Sequence, residues 1–109
     1  MTRDEETYFL RLMQVADQAT IDEHFHLVKT NDNPDGSTEL QYDVTYGHDE
    51  GYLTIKYDRE TGDILGAEMN VGFQTMIGLN RSPLELRILV EHLLALRNKE
   101  SKPPVERVV

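Results

Sequence analysis

Three of the four histidines, His24, His26 and His48, are the side chains with the clearest potential for metal chemistry. His24 and His26 are two positions apart, so on a β-strand both would project from the same face. Asp43, on the next predicted strand, is placed to orient an imidazole by accepting its second N–H. His48 is expected at the far end of that strand, and no Glu or His pair at helical spacing completes a ligand set. A solvated strand face is the favoured interpretation, and a metal or small-molecule site at these histidines is the alternative.

The segment from Asn31 to Gly36 has oxygen-bearing side chains at alternate positions and a glycine sixth, as in the first half of a calcium loop. Asn31 replaces the usual first aspartate, Pro34 stiffens the middle, and Tyr42 occupies the twelfth position, where a bidentate glutamate is required. The segment is therefore predicted to be a hairpin loop with Asx turns, and no cofactor is predicted.

No arrangement of nucleophile, base and glycine-rich turn indicates catalysis. Ser82 is explained as a helix cap and Ser37 as a turn residue, and neither lies in a glycine-rich elbow. Carboxylate pairs are abundant because the chain has twenty acidic residues, so none of them is specific. The sequence predicts a protein that is not an enzyme.

The composition indicates where the protein is located and which classes of molecule it can bind. Eleven basic residues against twenty acidic ones give a formal charge of −9, which disfavours nucleic acid and anionic membranes and favours a basic partner surface. The 109 residues suit one domain, here predicted over 1–98 with a disordered tail over 99–109. No cysteine, signal-peptide pattern or membrane-spanning run is present, so a cytoplasmic location is expected.

The periodicity of the chain changes twice. A capping box at Thr2 and apolar residues at helical intervals predict a first helix that runs to about Ala19. Period-two alternation and turn-forming residues then predict four antiparallel strands near 24–30, 40–46, 52–58 and 63–69. Residues 70–81 are predicted to form either a fifth strand or an apolar loop. The predicted fold class is α+β: an N-terminal helix, a four-stranded antiparallel meander and a C-terminal helix packed on the sheet.

One register remains open in this scheme. A four-residue turn that places Asp58 opposite Asp63 would direct Leu65, Ala67 and Met69 to the wrong face of the sheet. A longer turn or a bulge would return them to the core. On the other strands, Tyr42, Tyr46 and Tyr57 are predicted on the apolar side, and Tyr52 is predicted to point outward.

The last predicted helix, 82–98, has more apolar surface than one core-facing side requires. At about 100° per residue, a broad face would build the core, and a second stripe of Leu84, Ile88 and Ala95 lies beyond Glu85 and His92. The broad face consists of Leu86, Leu89, Val90, Leu93, Leu94 and Leu96. The second stripe needs a cover, either from the rest of the chain or from a partner.

These features together favour a small acidic protein–protein interaction module that acts by stoichiometric binding, as an inhibitor, an immunity or anti-defence protein, or a chaperone would. The expected partner is another protein with a basic or apolar surface. A structural homodimer is a further alternative. The predicted contact residues are Leu84, Ile88, Ala95, Met76, Ile77, Leu79 and Tyr52.

Overall fold

The computed structural model describes residues 3–71, 74–75 and 84–101, and these residues form an α+β fold. The sheet is antiparallel, and its strands lie in chain order, β1-β2-β3-β4-β5. The predicted fold class is confirmed. The elements are α1 (Arg3–Met13), α2 (Gln18–His24), β1 (Phe25–Asp32), β2 (Ser37–Tyr46), β3 (Asp49–Asp58), β4 (Ile64–Val71), β5 (Gln74–Thr75) and α3 (Leu84–Ser101).

The single N-terminal helix predicted to reach Ala19 is in fact two helices. The first ends at Met13, and the second begins at Gln18. The carboxylate of Asp17 accepts the Thr20 N–H at 2.9 Å and so caps the second helix. An Asp at the N-cap stabilises a new helix start, because it satisfies an N–H that has no partner within the helix. This local cap outweighs the continuous apolar periodicity on which the prediction relied.

The break also changes which residues of the first helix are buried. Phe9, Leu10 and Met13 enter the core, whereas Tyr8 and Leu12 are exposed. Val15 follows the end of the helix and is 83% exposed.

Strands β1 to β3 begin at slightly different residues from those predicted. The first begins at Phe25, which leaves His24 as the last residue of α2. The third begins at Asp49, opposite Tyr46, because only two residues form the connecting turn. Gly47, the first of these, has φ +61°, a conformation that glycine adopts without a steric penalty.

A β-bulge settles the register of β4. Tyr57 lies opposite Ile64, but Lys56 lies opposite Gly66, so Leu65 is the extra residue. The bulge, one of the two irregularities predicted from the sequence, returns Ala67 and Met69 to the core. It leaves Leu65 47% exposed.

The core lies on one face of the sheet. The helices contribute buried residues to the same cluster as the strands, and Leu27, although opposite the buried Tyr42, is itself exposed at the sheet edge. The buried hydrophobic residues of the strands are Phe25, Leu40, Tyr42, Val44, Leu53, Ile55, Ala67, Met69 and Val71.

The C-terminal helix continues to Ser101, three residues beyond its predicted end. The predicted cap at Ser82 and Pro83 lies outside the described residues, as do Met76, Ile77 and Leu79 and positions 102–109 of the predicted tail. Of the ambiguous segment 70–81, Gln74–Thr75 forms the short strand β5, which pairs with Asn70 and Val71. Within the part of the chain that the structure describes, no helix has the length and apolar character needed to cross a bilayer.

Candidate functional site

Helix α3 separates its apolar residues into a covered face and an uncovered one. The covered face consists of Leu86, Leu89, Val90, Leu93 and Leu94, all of them buried. On the opposite side, Leu84 is 66% exposed, Ile88 is 37% exposed, and Ala95 is also exposed. The second stripe predicted from the sequence therefore lies on the outer surface of the described structure.

Helix α1 and the linker that follows it hold one flank of α3 in place. The Gln14 side-chain amide donates to the backbone carbonyl of Glu85 at 2.9 Å, and Arg11 forms an ion pair with the Glu85 carboxylate at 3.3 Å. Further along, His92 donates from Nε2 to the carbonyl of Ala16 at 2.7 Å. These contacts fix the rotation of α3 about its axis and leave the stripe of Leu84 and Ile88 facing outward.

An open groove of about 800 Å³ lies along the other flank of α3. Its wall on the sheet side is the start of β4, where Ile64 and the bulged Leu65 line it. On the helix side the groove is lined by Leu94 and Ala95, and by Arg87 and Glu91, whose side chains form an ion pair at 3.8 Å. Ala95 belongs to both the stripe and the groove, so the two form one continuous surface, which we call the α3 surface.

Sequence reasoning missed the contribution of β4 to this surface. The sequence predicts Leu65 only as a core residue, on a strand whose register it leaves open. The available signal was the four-residue connection between Asp58 and Asp63, which requires an irregularity in β4 if Ala67 and Met69 are to be buried. The residue that absorbs the irregularity is then the one directed away from the core.

The three histidines do not share one strand face. His24 ends α2, is half-buried, and donates from Nδ1 to the Thr45 carbonyl at 2.8 Å. His26 lies on β1 opposite Asp43, as predicted, and His48 lies in the turn between β2 and β3. Among the described residues, no group of three or more His, Cys, Asp or Glu side chains is placed to hold a metal ion. The expectation that His24 and His26 project together is wrong, because His24 belongs to a helix.

The ring of His24 contributes to packing at this end of the sheet. Its centroid lies 5.6 Å from that of Phe9 and 5.9 Å from that of Tyr46, both in edge-to-face geometry. Such contacts stabilise the docking of α1 and α2 on the sheet.

The loop between β1 and β2 is held by hydrogen bonds among its own residues and by Arg59, from the turn after β3. The Asp35 carboxylate accepts the hydroxyl of Ser37 at 2.6 Å and its N–H at 2.9 Å, and these two bonds, in that order, lower the pKa of Asp35. The Arg59 guanidinium donates to the carbonyls of Asn33 and Ser37. The predicted hairpin loop is confirmed.

The tyrosines take the sides of the sheet predicted for them. Tyr42 is buried, and Tyr46 and Tyr57 are half-buried and pack against the core. Tyr52 is 36% exposed and lies on the face of the sheet opposite the core.

Comparison with known proteins adds no functional information. No family model, curated protein or solved structure matches this chain. The function must therefore be argued from the surfaces of the molecule.

Proposed function

We propose that this protein is a non-enzymatic interaction module that occludes a surface of another protein through the α3 surface. The observation that carries the proposal is the exposure of Leu84 and Ile88 on a helix whose opposite face is fully buried. Apolar side chains that are grouped on a surface, rather than scattered singly, are typical of interaction sites.

The shape of the α3 surface supports a protein partner. The groove beside the stripe is open, and its lining combines apolar and polar side chains: Ile64, Leu65, Leu94 and Ala95 with Asp63, Arg87, Glu91 and Asn98. A partner side chain that enters the groove would lose contact with water, and its burial would supply binding free energy. The ion pair between Arg87 and Glu91 lies at the rim, where it would favour one orientation of the partner.

The net charge of −9 supports a partner with basic residues around its apolar patch. Opposite charges accelerate encounter, and this acceleration weakens as salt shortens the Debye length. The association rate is therefore expected to fall steeply between low and high ionic strength. A flat response would remove the electrostatic part of the proposal.

The test is a tagged pull-down from the cells in which the chain is naturally made, at low and high salt, with Ile88→Asp as the variant. Ile88→Asp is expected to abolish recovery of a stoichiometric partner, because it places a charge where an apolar contact is needed. Val28→Asp is the matched control, since it adds the same charge at an exposed aliphatic residue on β1, away from the α3 surface. Circular dichroism of each variant verifies that it is folded.

Equal recovery of the partner by Ile88→Asp and Val28→Asp would overturn the proposal. Sedimentation of the purified chain tests whether the α3 surface instead binds a second copy of the same chain. If the wild type sediments as a dimer and Ile88→Asp as a monomer, the α3 surface mediates self-association and does not occlude another protein.

A further inference from the structure

The face of the sheet opposite the core forms a second surface, independent of α3. The described helices pack on the core face, and most of the residues that alternate with the core positions on β2, β3 and β4 are polar and exposed or half-buried. These residues include Gln41, Asp43, Thr45, Glu50, Tyr52, Thr54, Glu68 and Asn70.

Tyr52 lies on β3, the middle strand of this face, near the turn that joins β2 to β3. The strand register places Asp43 directly opposite it on β2 and Asn70 directly opposite it on β4. Glu50 is two residues earlier on the same strand, about 7 Å away. Glu68 is opposite Thr54, which makes it a diagonal neighbour of Tyr52. In antiparallel sheets, opposite Cβ atoms are about 5 Å apart and diagonal ones about 7–8 Å.

Among the described residues, the carboxylates around the Tyr52 side chain, those of Asp43, Glu50 and Glu68, form no close ion pair with a lysine or arginine. On β1, however, His26 lies opposite Asp43 and Lys29 lies opposite Gln41. Lys56 lies opposite Gly66 and is therefore a diagonal neighbour of Glu68, but its Nζ is directed to Asp35, at 3.9 Å. The ring of Tyr52 is thus an exposed aromatic surface bordered by negative charge.

We propose that this face binds an arginine side chain of a basic, extended segment of a partner protein. The guanidinium would stack on Tyr52 and donate to the surrounding carboxylates, Asp43 foremost. Arginine fits this arrangement better than lysine, because its planar group stacks on an aromatic ring while it donates in its own plane to carboxylates. A nucleic-acid phosphate backbone would be repelled by the same carboxylates.

This surface lies on the opposite side of the sheet from the helices, so its test is separate from the test of the α3 surface. The probe is a capped peptide of three arginines separated by glycines. Two analogues are compared with it, one with lysine and one with the uncharged citrulline at the same positions. Binding is measured by titration calorimetry, and the site is mapped by amide chemical shifts in the full chain.

The arginine peptide is expected to bind more tightly than the lysine peptide, because both cations can contact the ring but only the guanidinium stacks on it while donating in its own plane. The citrulline peptide is expected to bind more weakly than either. The shifts should concentrate at Asp43, Tyr52 and Glu68. Tyr52→Ala should weaken arginine binding by a factor of about two to five, which is the range for an exposed cation–π contact, and Tyr52→Phe should retain it.

Tyr8→Ala is the matched control, because Tyr8 is an exposed tyrosine on α1 with acidic residues nearby in the chain. It should leave the affinity unchanged, as should Ile88→Asp, which changes only the α3 surface. The proposal is overturned if the lysine and arginine peptides bind equally, if Tyr8→Ala and Tyr52→Ala have equal effects, or if the shifts lie elsewhere.

Discussion

The carbonyl oxygen of Asn70 lies 1.7 Å from the position that a Cβ atom would occupy on Gly51. Gly51 sits on β3 between Val44 on β2 and Val71 on β4, so the close approach occurs within the sheet itself. The neighbouring atom belongs to the backbone, and it cannot move aside as the end of a flexible side chain would. The glycine is therefore required for the pairing of β3 with β4 at this end.

Gly51→Ala is expected to lower the free energy of unfolding by more than about 1 kcal/mol, because β4 must shift to relieve the clash. Gly66→Ala is the matched control on β4. A Cβ there meets nothing within 4 Å, and its φ is not positive, so this variant should gain about 0.4–1 kcal/mol. Urea unfolding measures both. Equal effects of the two substitutions would contradict the close approach at Gly51.

The bulge at Leu65 predicts opposite sensitivities for neighbouring residues of β4. Met69 is fully buried, so Met69→Ala should cost about 2–5 kcal/mol through lost burial and the cavity that remains. Leu65→Ala should cost less than about 1 kcal/mol, because Leu65 is half exposed. Similar costs for the two variants in urea unfolding would contradict the bulge, because without it Leu65 and Met69 would lie on the same face of the sheet.

Two carboxylates predict how stability responds to acid. Hydrogen bonds from the N–H and hydroxyl of Thr20 lower the pKa of Asp17, and those from Ser37 lower the pKa of Asp35. Both groups bind protons more weakly in the folded state than in the unfolded state. Their contribution is therefore present above the unfolded pKa, near 4, and is lost as the pH falls through the folded values.

Asp17→Asn and Asp35→Asn should each flatten the decline in unfolding midpoint below about pH 4, and each should be less stable than the wild type at neutral pH. Glu60→Gln removes one charge without removing either hydrogen bond and controls for net charge. Urea midpoints measured across the acid range would contradict the prediction if all three variants declined in parallel with the wild type.

The hydrogen bond between His92 and Ala16 predicts a role for His92 in docking α3. His92→Leu removes the donor to the Ala16 carbonyl and should lower the free energy of unfolding by about 1 kcal/mol. His92→Gln keeps an N–H donor and should recover part of the loss. Thermal and urea unfolding of the two variants make the comparison. Equal stability of His92→Leu and the wild type would show that the bond does not stabilise the fold.

The α+β class, the meander and the two apolar sides of α3 could be predicted from the sequence. Each follows from contacts between residues close in the chain. Alternation along 40–46 indicates a half-buried strand, short connections allow only antiparallel neighbours, and helical spacing places Leu84 and Ile88 away from Leu86 and Leu89. These patterns do not depend on which distant segments meet.

Only the tertiary structure decided the position of the α3 surface and the separation of the histidines. The bulge at Leu65 depends on how β4 satisfies both its turn and the core, and the break before Asp17 depends on a cap that competes with continued helix. Whether Ile88 is covered depends on where α1 and β4 lie against α3. The positions of Leu65 and Ile88 are set by packing between segments far apart in the chain, which local periodicity does not encode. The helix break is instead a local competition between the Asp17 cap and continued helix, which periodicity alone does not resolve.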